Sequence, residues 1–469
     1  MSTAPSPPPP PPPPTSTDAH HQSEKPKRPP KPKAESPISK AISSWLDTLP
    51  AALLDQVSQQ VFSSSCSSTL SSSSSPSELI KPLLLSTAPK RWVIYRPLLL
   101  LPSGSFSSSP QWKLLLSLLT REQSTALWRS IVSSPIFEKE KVTHLAINDP
   151  IPAFIKEKEE KDQEEEEEEE EEEENNFNNV LRSPTNLTPL YGTTGVKFED
   201  LWVSTRQNGL TQVWAPLYTM FSRGNVKEKA RVLGGNTAGP PPSTSPLTST
   251  QNTEVRPEYA VDLYAGIGYF AFSYAKLGYR VLCWELNPHS VEGLRRGALA
   301  NNFSVRVVSS PEELSKPTGE LGLESPNGEG GEQKQQKQQQ QIVVFLEDNK
   351  EAARRIRELG IGKAAAAVRH VNAGFLPTSQ GVWREGFEIV RAGLVGGKAQ
   401  VEEEKAWLHL HENVGAEDIE NRRKEVEGMF KAWAGETGAV ETGVEHVELV
   451  KTFAPGVWHV VFDVLVRTG

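Results

Sequence analysis

The feature that most restricts the fold is an alternation of strand-like and helix-like segments from Ala260 onward. Strand-like runs fall at 260–264, 280–285, 342–346, 366–371 and 406–411. Helix-like runs fall at 270–277, 289–301, 350–359, 386–392 and 419–434. Strands that alternate with helices predict a mostly parallel, doubly wound α/β sheet. Two further strand-like runs, 446–451 and 457–466, are joined by Ala454-Pro455-Gly456 and predict one antiparallel edge. Residues 304–341, with their Gln-rich run, read as a disordered insertion in this sheet.

Upstream, folded sequence is expected from Ile38, because Ile42, Trp45, Leu46 and Leu49 recur at helical spacing. A strand at 91–95, a helix at 112–132 and a short strand at 142–147 make residues 38–155 a smaller α+β domain. Residues 201–214 read as two strands around Asn208-Gly209, a hairpin signal. Between these parts lie segments whose composition opposes folding: a Pro-rich tail at 1–37, an acidic linker at 156–199 and a Pro- and Ser/Thr-rich insertion at 235–256. The tail holds an unbroken run from Pro7 to Pro14 and a Lys/Arg-Pro alternation from Lys25 to Lys33. It reads as a stiff solvated spacer, with a nuclear signal or an SH3-type ligand as the other readings. The large domain is expected over 200–469.

Net charge is −9, which taken alone would disfavour nucleic acid. Residues 156–174, however, set 3 lysines against 15 acidic residues, so the rest of the chain is mildly basic. No apolar run reaches the roughly 20 residues of a membrane helix. With Cys66 and Cys283 as the only cysteines, neither a disulfide framework nor a Cys-based zinc site is expected. A cytoplasmic protein without a membrane span or a metal is the resulting expectation.

Gly266 and Gly268 sit between an expected strand and an expected helix, where glycine permits a tight turn and close approach to a ligand. Glu285 lies 19 residues after Gly266, at the end of the next strand, where a carboxylate can accept from both hydroxyls of a ribose. Gly266, Gly268 and Ala271 also fit the NAD pattern. Asp262, inside the first strand, distinguishes the two cofactors: it suits the ammonium of a methionine moiety and would repel a pyrophosphate. Asp348-Asn349, after the third strand, is placed to reach an adenine edge or the methionine portion. The arrangement favours S-adenosylmethionine over NAD, with a turn that binds nothing as the third reading.

The segment 215–231, from Ala215-Pro216-Leu217-Tyr218 through Ser222-Arg223-Gly224-Asn225 to Glu228-Lys229-Ala230-Arg231, resembles the signature of the wybutosine-synthesis aminocarboxypropyltransferases. These belong with the larger group of tRNA guanine-37 methyltransferases. Residues 284–289, 370–379, 408–414 and 451–463 are similar to the same family in the same order, as are 92–95 and 143–146. The resemblance implies a class I methyltransferase-like fold. It implies transfer of the α-amino-α-carboxypropyl group of S-adenosylmethionine to 4-demethylwyosine at position 37 of phenylalanine tRNA, with release of methylthioadenosine. It implies cofactor contacts at Ser222, Lys229, Glu285, Asp348 and Asn349. Lys229 would hold the methionine carboxylate, and Ser222 would donate to the same group. Glu228 and Asn372 match positions important in the related methyltransferases; Glu228 would accept a proton from the base and Asn372 would shape its pocket. The N-terminal part would help to position tRNA. The chain departs from the family at Glu347, where glycine is usual, which adds a charge beside the adenine site. Methylation of the same tRNA purine, or a tRNA-binding protein without catalysis, are the rival functions.

Other residues have plainer readings. Arg223, Lys227, Lys229 and Arg231 form either an RNA-facing cluster beside Tyr218 and Phe221 or a solvated helix start in which Glu228 is the internal partner. His409 and His411 share one strand face, but Glu412 falls on the other and no third metal ligand is close in sequence. Packing or hydrogen bonding is the expectation there. Trp284, and the alternation Trp458, Val460, Phe462, read as core.

Overall fold

The computed structural model describes residues 36–63, 76–148, 154–156, 176–178, 187–192, 195–234, 257–323, 341–361, 367–395, 404–438 and 440–468. The expected disorder at 1–35, at 157–175 and at 235–256 falls outside them, as do the Gln-rich residues 324–340.

The N-terminal part runs α1 (Pro37–Leu46), α2 (Ala51–Ser63), α3 (Pro76–Thr87), β1 (Val93–Tyr95), β2 (Leu98–Leu101), α4 (Pro110–Leu118), α5 (Arg121–Val132), α6 (Pro135–Lys139) and β3 (His144–Ile147). Ile38, Ile42, Trp45 and Leu46 form the buried stripe of α1 that their spacing anticipates. The single helix expected at 112–132 is two, because Thr120 and Gln123 close a capping box that starts α5. Short strands β4 (Phe154–Lys156) and β5 (Asn176–Asn178) pair antiparallel. β6 (Thr188–Gly192) then joins a four-stranded sheet of order β1-β2-β3-β6. This corrects the expectation of a disordered linker extending to 199: composition hid a strand whose partner, β3, lies far upstream.

A hairpin follows, β7 (Val203–Gln207) and β8 (Leu210–Trp214). Asn208 and Gly209 both take positive φ, 52° and 77°, as a two-residue turn of this hand requires. After α7 (Val226–Leu233) the alternation begins: β9 (Glu258–Asp262), α8 (Ala271–Leu277), β10 (Arg280–Trp284), α9 (Pro288–Ala300), β11 (Val305–Val308), α10 (Pro311–Leu314), β12 (Ile342–Phe345), α11 (Ala352–Glu358), β13 (Ala367–Ala373), α12 (Trp383–Val395), β14 (Lys405–Gly415), α13 (Ile419–Thr437), β15 (Val440–Ala454) and β16 (Val457–Thr468). The eight-stranded sheet has the order β11-β12-β10-β9-β13-β14-β16-β15. It is parallel from β11 to β14, and β16 runs antiparallel to both β14 and β15. The expected insertion at 304–341 is therefore corrected at its start: Val305–Val308 is the edge strand, paired with β12.

Strand periodicity sorts the core into two layers. Val261, Leu282, Trp284, Val343, Phe345, Val371 and Leu408 face Ile356, Trp383, Phe387 and Phe430 of α11, α12 and α13. Ala260, Val281, Cys283, Ile342 and Val344 face Val232, Phe272, Tyr274 and Leu294 of α7, α8 and α9. On this second face, the middle of the sheet turns polar. Asp262, Asn372, His409 and Asp463 are successive cross-strand neighbours on β9, β13, β14 and β16, and all four are buried.

Candidate active site

The turn after β9 is held from three sides. Gly266 and Gly268 have φ of 53° and 88°, in the region that favours glycine, and a Cβ on Gly268 would come within 2.5 Å of the Phe272 ring. Glu285, just past β10, accepts from Gly266 N through Oε2 and from Asn287 N through Oε1, both at 2.8 Å. Asn349, just past β12, donates from Nδ2 to the Leu263 carbonyl at 2.8 Å. Asn372 on β13 donates from Nδ2 to Asp262 Oδ1 at 3.0 Å. The ends of four neighbouring strands thus bring Asp262, Gly266, Gly268, Glu285, Asn349 and Asn372 together. Asp348 comes with Asn349 but makes no bond to the turn; its half-exposed carboxylate caps Lys350 N.

Two carboxylates here are held in costly surroundings. Burial raises Asp262 to about 6, and its Oδ2 has no hydrogen-bond partner among the described residues. Leaving a buried polar atom unpaired costs roughly 1–3 kcal/mol, which a cationic ligand group at that oxygen would remove. Burial also raises Glu285, against the lowering effect of the Asn287 and Gly266 amides. Each of its oxygens keeps acceptor capacity beyond the one amide it binds. These residues fit the ammonium and ribose of S-adenosylmethionine.

Ser222 and Lys229 reach the same turn through Tyr269, a residue without a motif to reveal it. Tyr269 Oη accepts from Ser222 N and donates to the Met220 carbonyl, both at 2.7 Å. The Lys229 ammonium lies 5.2 Å from the centre of the Tyr269 ring and 5.4 Å from that of Phe221. It donates to Gln207 Oε1 at 2.6 Å and Gln212 Oε1 at 3.1 Å. These partners are neutral, and burial lowers Lys229 to about 8. Asn287 adds a second tie, from Nδ2 to the Tyr218 carbonyl at 3.0 Å, while its side-chain oxygen caps α9.

Glu228 lies in surroundings that its spacing does not reveal. It is 1% exposed, and its two oxygens accept from Arg231 at 2.6 and 2.9 Å. The other side of the Arg231 guanidinium meets Asp463 at 2.5 and 3.1 Å. The carboxylate is thus a member of a buried ion-pair network, in which burial raises it and Arg231 lowers it. The basic cluster divides accordingly: Lys229 and Arg231 turn inward, whereas Arg223 and Lys227 are exposed. The same network reaches the histidines. His409 Nδ1 lies 2.7 Å from Asp463 Oδ1, His409 Nε2 lies 3.0 Å from His370 Nδ1, and His370 Nε2 lies 3.1 Å from Tyr279 Oη. His411 and His459 form a second pair at 2.9 Å. Folding brings together imidazoles that are distant in sequence, yet among the described residues no set of three or more His, Cys, Asp or Glu is arranged to hold a metal. The charge of Glu347 is answered by Arg355, a fully buried guanidinium that donates to Glu347 Oε2 at 2.7 Å.

No family model matches the chain. Among solved structures, P. horikoshii TYW2 in complex with MeSAdo is 16% identical with a TM-score of 0.45, over 88% of this chain and all of that one. The Saccharomyces cerevisiae tRNA wybutosine-synthesizing protein 2 is 33% identical over 352 residues, 69% of this chain and 60% of the relative. The Schizosaccharomyces pombe tRNA wybutosine-synthesizing protein 2 is 36% identical over 389 residues, 80% of this chain and 72% of the relative. With identity of that order across most of both chains, the protein belongs to the tRNA wybutosine-synthesizing protein 2 family.

Proposed function

We propose that this protein transfers the α-amino-α-carboxypropyl group of S-adenosylmethionine to the side carbon of 4-demethylwyosine at position 37 of phenylalanine tRNA. The observation that carries the reading is the turn from Asp262 to Gly268, locked to Glu285 and holding one unpartnered buried carboxylate oxygen. The donor supplies a sulfonium with three carbon neighbours, so the reaction is decided by which carbon is aligned with the RNA.

The chain's own residues supply that alignment. Glu285 accepts from the ribose hydroxyls, and Asn349 with Asp348 borders the adenine. Asp262 takes the ammonium of the methionine arm, and Asn372 keeps the Asp262 carboxylate oriented toward it. Lys229 and Ser222 take the carboxylate of the arm. Gripping the arm at both charged groups favours presentation of its γ-carbon over the methyl. Bond formation at that carbon breaks its bond to sulfur, the electron pair stays on sulfur, and neutral methylthioadenosine leaves. The acceptor carbon loses a proton; Glu228 is not assigned to take it. Asp262 also disfavours a dinucleotide, whose pyrophosphate would meet a carboxylate.

We further assign residues 38–155 to positioning the tRNA and residues 200–469 to binding the donor. We place the reaction in the cytoplasm. Among the described residues no helix is long and apolar enough to cross a membrane.

Mass spectrometry of the by-product tests the reaction. With donor and precursor tRNA, methylthioadenosine is expected, and S-adenosylhomocysteine alone would overturn the assignment in favour of methylation. Glu285→Ala should abolish donor binding and modification while tRNA affinity holds. Unchanged modification in that variant would remove this turn from the mechanism.

A further inference from the structure

A cavity of about 710 Å³ opens where the β1–β2 sheet meets residues 214–223. None of Asp262, Gly266, Gly268, Glu285, Asn349 or Asn372 lines it, so it is separate from the glycine turn. Its volume falls in the range of small-molecule and nucleotide sites, roughly 300–1,000 Å³. Its walls combine two kinds of group. Trp92, Tyr95 and Phe221 supply aromatic surface, and Lys90, Arg91 and Arg223 supply cations. Among the described residues no carboxylate lines it.

The cations are unusual for this molecule. Its arginines are commonly neutralised: Arg96 pairs with Glu140, Arg231 with Glu228 and Asp463, and Arg355 with Glu347. Lys90, Arg91 and Arg223 are exposed and form no ion pair with any described carboxylate. Three unpaired positive charges around one aromatic cavity, in a chain of net charge −9, suit a ligand that is both anionic and flat. The cavity also has a physical link to the turn. Phe221 stacks on Trp214 at 4.5 Å on the cavity side and on Tyr269 at 6.1 Å on the turn side. Ser222 and Lys229, the residues assigned to the donor's carboxylate, contact that same Tyr269.

We propose that this cavity seats a nucleotide of the RNA substrate that neighbours the reacting one. Trp92 stacks on its base, and Lys90, Arg91 and Arg223 contact its flanking phosphates. This rests on the reading of the protein as a tRNA-modifying enzyme and adds to it a defined seat outside the donor pocket. The seat reads no sequence by itself, because stacking and phosphate contacts accept any base. Its role is register: with one neighbour anchored, the target base is delivered to a fixed distance from the turn.

The test uses the full chain and fluorescently labelled, transcribed phenylalanine tRNA, with affinity measured by anisotropy at several salt concentrations. The doubly substituted Arg91→Ala/Arg223→Ala protein should bind about tenfold more weakly, with a log–log salt slope flatter by about one for each cation removed. Trp92→Ala should lose about fivefold or more, and Trp92→Phe, which keeps a stacking ring, should recover most of that loss. Donor affinity measured in parallel by calorimetry reports an intact fold. Wild-type RNA affinity and salt slope in the double variant would overturn the proposal, as would equal losses in Trp92→Ala and Trp92→Phe. Weakened RNA binding in the variants, in a wild-type protein that releases no methylthioadenosine, would uphold the seat and refute the reaction.

Discussion

Asp262 and Asp463 lie on the same rung of the same sheet, with two strands between them, and both are fully buried, yet they are treated in opposite ways. Asp463 is saturated: one oxygen faces His409 and both meet Arg231. Burial alone would raise it, but His409 and Arg231 overcome that and hold it below the ordinary carboxylate range. Asp262 Oδ1 accepts from Asn372 and from the Tyr264 amide, its Oδ2 has no partner among the described residues, and burial raises it to about 6. A buried charge that has all its partners serves the fold. One left short of partners is a cost that a ligand can remove, so the pair separates scaffold from site without reference to motif.

The largest expected effect tests the saturated side. Asp463→Ala leaves Arg231 with Glu228 alone and strips His409 of its acceptor. Removing one member of a buried ion pair costs about 3–5 kcal/mol, and urea denaturation should show a loss of that order. A loss below about 1 kcal/mol would mean that Asp463 is not structural, and the contrast with Asp262 would fail.

The unsaturated side predicts the opposite response to pH. Asp262 titrates at about 6 when folded, above its ordinary value, so its ionised form is a penalty. That penalty is present above pH 6 and relieved as pH falls toward 4, where the unfolded chain also takes up its proton. Asp463, held low, contributes stability that is lost as pH falls through and below the ordinary carboxylate range. Asp262→Asn should therefore gain on the wild type by about 2–3 kcal/mol at pH 7 and lose that advantage near pH 4. It should also bind S-adenosylmethionine more weakly. Equal pH profiles for the two proteins would show that Asp262 is not held in an unfavourable state.

The contrast also explains what sequence could reveal. The glycine turn and Glu285 were legible because the groups that cooperate there follow one another along a strand–turn–helix–strand unit. The Asn208-Gly209 hairpin and the Ile38–Leu46 stripe were legible for the same reason: their geometry is local. The burial of Glu228 was not legible because its surroundings are not local. Three residues before Arg231, it has the spacing of an ordinary helix-surface pair, and the partner that draws both inside lies 232 residues further on. The histidines at 370, 409, 411 and 459 are joined only by strand order and register. The strands β6 and β11 were hidden differently: each borders a stretch of biased composition, and pairing with a strand elsewhere overrides that bias.

Lys229 places a third buried group in the comparison, with the smallest expected effect. Its hydrogen-bond partners are two glutamine oxygens, so it has acceptors but no countercharge among the described residues, and burial brings it to about 8. If it holds the donor's carboxylate, the competent form is the ammonium, and that form is depleted in the ligand-free protein as pH rises past 8. Affinity for S-adenosylhomocysteine, which carries the same carboxylate, should fall by about tenfold between pH 7.5 and 9. Lys229→Met preserves bulk without charge, so it should bind weakly at pH 7.5 with a flatter profile. The difference between the two profiles isolates Lys229 from the titration of the ligand's own amine. Parallel profiles would assign Lys229 to the scaffold with Asp463, and the unsaturated groups at the turn would reduce to Asp262.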